Sequence, residues 1–556
     1  MNDVKEEVDL VVVGSGTGML AALAAAEQEL DVLVVEKAPH VGGSTSLSGG
    51  GFWIPGNSLL EENGQRESRE RIETYLRAVT GGEVEDERWQ SHIDFGPEAV
   101  DLMRRRTPLK FQFMREYADY FPELPGGSAT GRSMEPAPFD LKTLGEAREK
   151  LLPPVMAAPI PMPITGKGYK WLNLVVRHPK GLVTGMKQTG MGVGGMAIGR
   201  EYAAGGQALA AGLYAGLLAM GIPVWTGSPL VDLLVEDGRV VGVVVERDGQ
   251  QVPVRTRRGV LLSSGGFEHN AEMRHQYQSQ AVDGSWSLGA QANTGAVVGI
   301  AQRHGADLAF MNESWWFPVV PPVKEGGQPS VMLAERSLPY QVIVNGRGRR
   351  FMNEAVNYMT AGQLILRQHT EEDPHVPAWI VFDQRYRNSY LFGGALFPRQ
   401  PLPKAWYEAG IAKKANSIEE LARMLEMPEL ATTIDRFNEM ARAGRDDDFN
   451  RGDSAYDRYY GDPTITPNPC VGPIERGPFY AVQVVPGDLG TCGGLRADRW
   501  ARVLRQDGSP IEGLYASGNA AGNAFGRVYP GPGATIGQGL VYGYVAVQHM
   551  NGRIEH

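Results

Sequence analysis

The stretch from Val8 to Gly51 constrains the fold of this 556-residue chain more than any other part of the sequence. It contains, in order, the apolar run Val8–Val13, the turn Gly14-Ser15-Gly16-Thr17-Gly18, an Ala/Leu-rich segment from Met19 to Glu29, and the run Asp31–Val35, which ends at Glu36. The two runs are typical of buried parallel strands, and the segment between them is typical of a helix. A strand, a glycine turn, a helix and a second strand that ends in an acid predict a dinucleotide-binding βαβ unit.

The residue types of this unit suit a pyrophosphate and a ribose. Gly14 and Gly16 let the backbone approach a pyrophosphate closely, and the first turn of the following helix offers free N–H groups to the anion. Glu36 lies 22 residues after Gly14, near the spacing at which a carboxylate accepts ribose hydroxyls. A carboxylate there disfavours a 2′-phosphate, and therefore NADP. The usual third glycine falls at Met19, with Gly18 one place early, so an ordinary α/β turn is the structural alternative.

A second loop, rich in glycine and hydroxyl residues, distinguishes FAD from NAD. It comprises Gly42-Gly43-Ser44-Thr45 and Ser48-Gly49-Gly50-Gly51, soon after Glu36. A unit that binds NAD has no need of this loop, whereas a flavin extends past the pyrophosphate and needs backbone to pack against its ring. We therefore expect FAD as the cofactor of a Rossmann-like α/β domain.

Later strand ends and loops complete the predicted cofactor site. Gly259–Ser263 is an apolar strand that ends in Ser264-Gly265-Gly266, and Gln291–Gly295 is a further loop of small residues. The predicted cofactor-binding residues are Gly14, Ser15, Gly16, Thr17, Gly18, Met19, Glu36, Lys37, Ala38, Gly42, Gly43, Ser44, Thr45, Ser48, Gly49, Gly50, Gly51, Ser264, Gly265, Asn293, Gly295, Gly518, Asn519, Thr535 and Ile536.

Composition and charge exclude several classes of protein. A net charge of −10 argues against nucleic acid as a partner. The ten histidines show no metal-ligand spacing, so we expect no metal site, and no G-x-S-x-G motif supports a hydrolase. The sequence shows no signal peptide and no apolar run long enough to span a bilayer, and its two cysteines are typical of a reducing compartment. We therefore expect a cytoplasmic protein.

The pattern of apolar strands followed by glycine-rich turns divides the chain into parts. It covers residues 1–313, stops over residues 314–489 where aromatic residues and prolines rise, and returns over residues 490–556. We therefore predict a nucleotide-binding domain in two parts, with an α+β capping domain inserted between them. Residues 151–200 form a separate unusual segment, with six Lys or Arg residues, no Asp or Glu, and a Pro/Met-rich apolar stretch at Leu151–Ile164.

The run from Arg527 to Gly537 predicts a second functional element. Pro and Gly alternate just before a segment of small residues, which is typical of an exposed helix N-terminus. Its free N–H groups would stabilise negative charge on the pyrimidine end of a flavin. A structural turn before a helix is the commoner meaning of such a run. Tyr529 within it, and Gly518-Asn519 shortly before it, favour the functional interpretation.

These motifs resemble those of the flavoprotein family of fumarate reductases and 3-ketosteroid dehydrogenases. Gly42–Gly51, followed by Phe52–Asn57, is most similar to the 3-ketosteroid dehydrogenases, and Arg527–Gly537 resembles the catalytic loop of the Δ1-dehydrogenases. The resemblance covers nearly the whole chain. Residues 151–200 resemble an insertion that the longer members carry. The family attaches FAD covalently only through a histidine that is absent from Gly43–Ser48, so the resemblance implies non-covalent FAD.

The resemblance implies roles for individual residues. The Tyr529 hydroxyl and the Gly533 N–H would bond a steroid 3-keto oxygen as an oxyanion hole. Tyr358 would remove the C2 proton as a phenolate, assisted by Tyr120, with Tyr117 as a neighbouring rival for that assisting role. Trp316 aligns with an aromatic residue of the substrate pocket. Most tyrosines are packing residues, and only the resemblance singles these three out of 20.

The implied reaction is 1,2-dehydrogenation of a 3-ketosteroid, including sterols with an intact C17 side chain, with an external electron acceptor such as a quinone. The sequence leaves three alternatives open: a 3-ketosteroid Δ4-(5α)-dehydrogenase, a fumarate reductase-like enzyme, and a non-catalytic flavin- or sterol-binding protein. For residues 151–200, the interpretations are a lid over a larger pocket, an oligomer contact, or a peripheral attachment to the inner face of the membrane through basic and apolar side chains.

Overall fold

The computed structural model describes residues 7–154, 161–324 and 326–554. Residues 155–160 of the apolar stretch Leu151–Ile164 therefore lie outside the described residues. The strands are β1 (Glu7–Val13), β2 (Val32–Val35), β3 (Phe52–Trp53), β4 (Phe111–Phe113), β5 (Ser133–Pro136), β6 (Phe139–Asp140), β7 (Tyr202–Ala203), β8 (Val224–Trp225), β9 (Leu230–Glu236), β10 (Arg239–Arg247), β11 (Gln250–Leu262), β12 (Leu308–Ala309), β13 (Ser314–Val320), β14 (Ser330–Val331), β15 (Gln341–Val344), β16 (Ala378–Asp383), β17 (Ala412–Ala415), β18 (Phe479–Thr491), β19 (Gly494–Leu495), β20 (Arg502–Leu504) and β21 (Pro510–Ala516).

The α-helices alternate with these strands in the first part of the chain and cluster after residue 354 in the second. They are α1 (Gly18–Glu27), α2 (Gly43–Leu47), α3 (Ser58–Glu62), α4 (Arg69–Thr80), α5 (Asp86–Arg106), α6 (Gly166–Leu172), α7 (Pro179–Ala197), α8 (Gly205–Ala219), α9 (Ala271–Tyr277), α10 (Ala296–Arg303), α11 (Tyr358–Arg367), α12 (Gln384–Ser389), α13 (Lys404–Glu408), α14 (Ile418–Met424), α15 (Leu430–Ala443), α16 (Ala455–Tyr459) and α17 (Ala534–Met550). Short 3₁₀ helices are formed by Leu141–Lys150, Gly284–Trp286 and Gly518–Ala520.

The larger sheet is built on the predicted βαβ unit. Its order is β20-β21-β11-β1-β2-β8, and β10 and β9 extend it from β11. β1 runs parallel to β2 and β11, and β11 runs parallel to β21. Val11 lies opposite both Leu33 and Val260. Because parallel strands point the same way, the residues that follow β1, β2, β11 and β21 meet at one edge of the sheet, where ligands bind in such folds.

Small residues bring the helices close to this sheet and to one another. α1 and α17 pack together through Ala21 and Gly543, and a Cβ on Gly543 would lie 3.3 Å from the Ala21 Cβ. A Cβ on Gly539 of α17 would lie only 2.5 Å from the Thr17 Oγ1. The Ala- and Gly-rich composition of both helices is therefore a requirement of their contact. It holds the start of α17 beside the turn that follows β1.

The second sheet covers the carboxyl edge of the first. It is antiparallel, with the order β14-β13-β18-β16-β15 and with β17 also paired to β18. Its strands all lie between Ser314 and Thr491, and helices α11 to α16 pack around it. The predicted α/β fold with an inserted α+β unit is confirmed. The predicted boundary at residue 489 falls two residues before the end of β18.

Buried ion pairs hold the segment that leads into α11. Arg350 pairs with Glu354 at 2.7 Å and with Asp446 at 2.8 Å, and Arg451 pairs with Glu354 at 3.2 Å. The four side chains are at most 4% exposed. Removing one partner from such a cluster leaves a buried charge uncompensated, which is strongly destabilising. The cluster therefore fixes the backbone just ahead of Tyr358.

None of the described helices has the length and apolar character needed to cross a membrane.

We predict that Glu354→Gln destabilises the protein by on the order of 3 kcal/mol, because it leaves two buried guanidinium groups short of negative charge. A thermal scan should show a clear fall in Tm. The control is Glu236→Gln, which breaks the exposed pair between Glu236 and Arg255 and should leave Tm nearly unchanged. Equal shifts in the two variants would show that the buried cluster does not stabilise the fold.

Candidate active site

A cavity of about 1080 Å³ lies where the two sheets meet. Its wall includes all the predicted cofactor-binding residues except Gly18, Met19 and Gly42. Gly18 packs against Val12 and Ser263, where a Cβ would lie 2.9 Å from a Val12 methyl group. Met19 is fully buried in the core. Gly42 donates its N–H to the Ser15 Oγ at 3.1 Å, so it joins the two glycine loops from behind the wall.

The first glycine turn is fixed by the carboxylate that ends β2. Glu36 Oε2 accepts from the Ser15 N–H at 3.0 Å and from the Ser15 Oγ at 2.6 Å, and Oε1 accepts from the Ala38 N–H at 2.8 Å. Gly14 has a φ of +109°, and a Cβ there would lie 2.3 Å from the Ser263 carbonyl oxygen. Only glycine fits this position. Glu36 thus shapes the turn as well as facing the cavity, a structural role that the sequence did not indicate.

The loop that carries Asn293 is tied to the second glycine loop. The Asn293 Nδ2 donates to the Ser44 Oγ at 2.9 Å and to Glu268 Oε1 at 2.6 Å, and the Ala290 N–H also donates to the Ser44 Oγ. Glu268 is fully buried, and burial raises its pKa to about 7. This carboxyl group was not among the residues predicted from the sequence, although it lies only two residues after Gly266.

The N-terminus of α17 faces the cavity, as the Pro-Gly run indicated. Gly533 precedes the helix with a φ of +92°, and within the described part of the chain no side chain caps the first turn. Gly533, Thr535 and Ile536 all line the cavity. The Asn519 Oδ1 accepts from the Thr535 Oγ1 at 3.1 Å and from the Trp315 Nε1 at 2.9 Å. This end of the helix presents backbone donors to an anion or to a developing negative charge.

The three predicted tyrosines lie together against the same cavity. The ring centroid of Tyr120 is 5.2 Å from that of Tyr358 and 5.0 Å from that of Tyr529, and the last two are 5.5 Å apart. Tyr120 comes from the loop after β4, Tyr358 is the first residue of α11, and Tyr529 precedes α17. Residues more than 400 positions apart along the chain therefore converge on one point.

Burial and nearby hydrogen-bond donors shift the pKa of these phenols in opposite directions. Burial raises the pKa of Tyr529 to about 12, even though hydrogen bonds from Tyr358 and from the N–H groups of Thr535 and Gly533 act to lower it. Burial raises the pKa of Tyr358 well above its ordinary value, and a hydrogen bond with Tyr120 lowers it. The position of Tyr358 at a helix N-terminus also favours its phenolate. The donors around Tyr529 mark a place where negative charge on oxygen is stabilised.

Tyr117 also lines the cavity, but its partners differ from those of Tyr120. Its ring stacks on Tyr459 with centroids 4.3 Å apart, and it contacts Tyr456 and Tyr460, which lie in or next to α16. Tyr120, in contrast, contacts both Tyr358 and Tyr529. Of the two candidates for the assisting tyrosine, the structure places Tyr120 beside Tyr358.

The predicted pocket aromatic Trp316 is not among the residues that line this cavity. Its Nε1 donates to Glu313 Oε2 at 2.8 Å, and its side chain packs on Gly362 of α11, where a Cβ would lie 2.3 Å from the Trp316 Cβ. Side chains alternate between the two faces of a strand. The next residue, Phe317, therefore faces the cavity, and its ring centroid lies 4.8 Å from that of Tyr358.

Part of the cavity wall is apolar, and no sequence pattern had indicated it. Together with Phe317 it includes Met114, Leu288, Val331, Leu333, Tyr460 and Leu489. Residues of the 151–200 segment also line it, namely Leu152, Pro153, Ile164, Thr165, Gly166 and Tyr169. A wall of this composition suits an apolar ring system with few polar groups.

The wall fits FAD in both shape and chemistry. Gly43 and Gly49 line the cavity, and a Cβ on either would meet no atom of the described residues within 4 Å, so the two glycines leave room for a bound group. The turn Gly14–Thr17 and the start of α1 suit the pyrophosphate, and Glu36 suits a ribose. The N-terminus of α17 suits the electron-rich end of a flavin. Among the described residues, no cluster of His, Cys, Asp or Glu has the makings of a metal site.

Comparisons with known proteins agree with this geometry. A family model described as "FAD binding domain" matches residues 9–536. The 3-oxosteroid 1-dehydrogenase of Mycolicibacterium smegmatis is 46% identical over an alignment that covers 97% of this chain and 96% of that protein.

Solved structures show the same similarity. The crystal structure of the 3-ketosteroid Δ1-dehydrogenase from Sterolibacterium denitrificans, in complex with 1,4-androstadiene-3,17-dione, matches with a TM-score of 0.94 at 35% identity, over 99% of this chain and 100% of that one. The 3-ketosteroid-Δ4-(5α)-dehydrogenase from Rhodococcus jostii shares the fold, with a TM-score of 0.68 at 22% identity, over 99% of this chain and 98% of that one.

The family match confirms FAD as the cofactor. Since the match covers most of the sequence and the relative is 46% identical nearly end to end, the chain belongs to the FAD-binding flavoproteins that include the 3-oxosteroid 1-dehydrogenases.

Proposed function

We propose that this protein is an FAD-dependent 3-ketosteroid Δ1-dehydrogenase, which converts a 4-en-3-one into a 1,4-dien-3-one. The observation that carries the proposal is the convergence of Tyr120, Tyr358 and Tyr529 beside the Gly533 N–H, at the wall of the flavin cavity. The names of the relatives support it. The apolar wall beyond these tyrosines suits the rings of a steroid.

The Tyr529 hydroxyl and the Gly533 N–H bond the 3-keto oxygen and stabilise the negative charge that develops there as an enolate forms. Tyr358, as a phenolate, takes the proton from C2, and Tyr120 donates a hydrogen bond that stabilises the phenolate. FAD, when bound, supplies the acceptor for the hydride that leaves C1. Phe317 and the apolar wall exclude water from the reacting carbons. An external electron acceptor, for which we propose a quinone, completes each turnover.

The alternative functions would require other side chains at this cavity or would give another product. A fumarate reductase-like enzyme needs cationic clamps for a dicarboxylate. Of the described residues that line the cavity, Lys37 and His40 are the ones with basic side chains, and both closely follow Glu36 at the nucleotide end. A Δ4-(5α)-dehydrogenase would give a 4-en-3-one from a saturated 3-ketone. Product analysis with one 4-en-3-one substrate separates these enzymes from each other and from a non-catalytic binding protein.

We predict that Tyr358→Phe and Tyr529→Phe each lose about 10²- to 10³-fold in kcat while retaining FAD, because each removes one group that acts on the reacting enone. Formation of the 1,4-dien-3-one, followed by its absorbance, measures the loss. Tyr407→Phe, outside the cavity wall, is the control. Turnover of Tyr358→Phe near that of the wild type would exclude Tyr358 as the base.

We predict that kcat rises with pH through the alkaline range. A base works only when deprotonated, and burial raises the pKa of Tyr358, so little phenolate exists at neutral pH. The hydrogen bond with Tyr120 lowers this pKa. Tyr120→Phe should therefore move the kinetic midpoint to higher pH. An unchanged midpoint in this variant would show that Tyr120 does not tune the base.

We also propose that the protein attaches to a membrane surface through the segment that contains α6, α7 and the residues that directly follow α7. α7 packs on the protein through Gly181, Gln188, Gly192 and Gly195. A Cβ on Gly192 would lie 1.8 Å from the Pro161 carbonyl oxygen, which shows how closely this face fits. The opposite side exposes large apolar side chains, with Ile198 at 71% exposure, and comprises Leu182, Val183, Met186, Val193, Met196 and Ile198.

The charges of this surface support an anionic partner. Lys167, Lys180 and Lys187 are exposed. Two other basic residues of the segment face the protein instead, since Lys170 pairs with Glu116 at 3.5 Å and Arg177 pairs with Asp462 at 2.9 Å. Each base near an anionic membrane contributes about 1 kcal/mol, and apolar side chains sink into the headgroup region. Because the same segment lines the cavity, it also acts as a lid, and a sterol could enter from the lipid.

We predict that the protein floats with anionic liposomes at low salt and less at high salt. Val183→Asp/Met186→Asp should abolish flotation while the enzyme still oxidises a soluble steroid, because a charge on this face opposes insertion. Met424→Asp, at an exposed apolar position on α14, is the matched control and should still float. A wild-type protein that stays at the bottom at low salt, or a double variant that floats equally well, would contradict membrane attachment.

A further inference from the structure

The loop that carries the oxyanion donor is held from outside by its carbonyl oxygens. The Pro530 carbonyl accepts from the Tyr120 N–H at 3.1 Å and from the Tyr75 hydroxyl. The Pro532 carbonyl accepts from the Ser133 Oγ at 2.6 Å. The Gly533 carbonyl accepts from the Trp53 N–H at 3.1 Å. Since Pro530 and Pro532 have no N–H of their own, carbonyl bonds are the main means of orienting this loop.

The bond from Ser133 acts directly on the catalytic N–H. The carbonyl of Pro532 and the N–H of Gly533 belong to the same peptide unit, which is planar and trans, so they point in opposite directions. A donor that holds the carbonyl on one side therefore aims the N–H to the other side. Gly533 lines the cavity and its N–H lies beside the Tyr529 hydroxyl. The Ser133 bond thus aims this N–H towards the Tyr529 hydroxyl, where both groups would meet the 3-keto oxygen in the proposed reaction.

The local backbone does not by itself fix this orientation. Gly533 has a φ of +92°, and a Cβ there would lie 2.2 Å from the Gly51 carbonyl oxygen, so the position requires glycine. Glycine tolerates a wide range of φ, and this freedom would let the peptide plane rotate away from the substrate. Ser133 is fully buried in β5 and paired in register with Trp53 of β3. It therefore provides a rigid partner for a flexible position.

We propose that Ser133 is the positioning residue for the oxyanion donor of this enzyme, because its hydroxyl fixes the peptide plane that carries the Gly533 N–H. This inference rests on the proposed function, in which Gly533 bonds the 3-keto oxygen. A second effect acts in the same direction. A carbonyl that accepts a hydrogen bond polarises its peptide unit, which strengthens the N–H as a donor.

The test combines kinetics with a direct measure of the hydrogen bond to the substrate carbonyl. Ser133→Ala should lower kcat by roughly 10- to 100-fold, less than or equal to the loss of a whole oxyanion donor, while KM and FAD content change little. The infrared C=O stretch of bound 1,4-dien-3-one product, labelled with ¹³C at C3, should move to higher frequency. Ser133→Thr keeps the hydroxyl and should restore both values towards the wild type.

Ser91→Ala is the matched control. Ser91 is also fully buried and its Oγ also donates to a backbone carbonyl, that of Arg499, at 2.7 Å. A merely structural serine should leave the C=O stretch unmoved. If Ser133→Ala does not hold FAD, Ser133→Cys replaces it, because a thiol is a weak donor of similar size. A Ser133→Ala or Ser133→Cys holoenzyme with wild-type kcat and C=O stretch overturns the inference.

Tyr529→Phe in the same assay separates this failure from a failure of the proposed function. If Tyr529→Phe moves the C=O stretch and lowers kcat but the Ser133 variants do not, only the role of Ser133 is wrong. If Tyr529→Phe also leaves both unchanged, the oxyanion site itself lies elsewhere.

Discussion

The cost of burying ionisable phenols sets the conditions for the rest of this structure. A dry, apolar cavity suits a steroid, but it also raises the pKa of every tyrosine placed in it, as at Tyr358 and Tyr529. The protein offsets this cost with fixed donors: the N-termini of α11 and α17, the Tyr120 hydroxyl and the backbone N–H groups near Gly533. These donors come from a helix of the inserted unit, α11, and from a loop and a helix of the nucleotide-binding unit, Tyr120 and α17, so the site is complete only when both units contribute to it. The fold holds these donors in fixed positions and excludes water from the cavity.

Much of the nucleotide site was predictable because its signal is local. A strand, a glycine turn, a helix and an acid follow one another between Val8 and Glu36, and each is recognisable from neighbouring residues alone. Tyr120, Tyr358 and Tyr529 were recognisable only through the family resemblance, because nothing in their local sequence separates them from the other tyrosines. At Trp316, the residue that the resemblance indicates and the residue that lines the cavity differ by one position. In a strand, a shift of one position exchanges the two faces, and Phe317 is the residue that faces the cavity.

Other parts of the site depend on contacts that no local pattern encodes. Ser133 and Pro532 lie 399 residues apart, and Glu268 bonds Asn293 from behind the wall rather than within it. For the 151–200 segment, the sequence likewise does not show which basic side chains are exposed. Its bases look equivalent in the sequence, yet Arg177 and Lys170 pair with acids of the protein body. Only the placement of Asp462 and Glu116 in three dimensions distinguishes these two bases from the exposed lysines.

The peptide unit between Pro532 and Gly533 has a consequence for how such an enzyme can vary. A catalytic side chain can be exchanged by a single codon change, whereas a backbone N–H persists for every residue except proline that the codon at its own position can specify. Natural variation or engineering can therefore adjust this donor from the opposite end of its peptide, through whatever group donates a hydrogen bond to the Pro532 carbonyl. Ser133 is distant in sequence and does not line the cavity. Changes at this position would therefore alter the strength of the oxyanion hole without changing the residues that select the steroid.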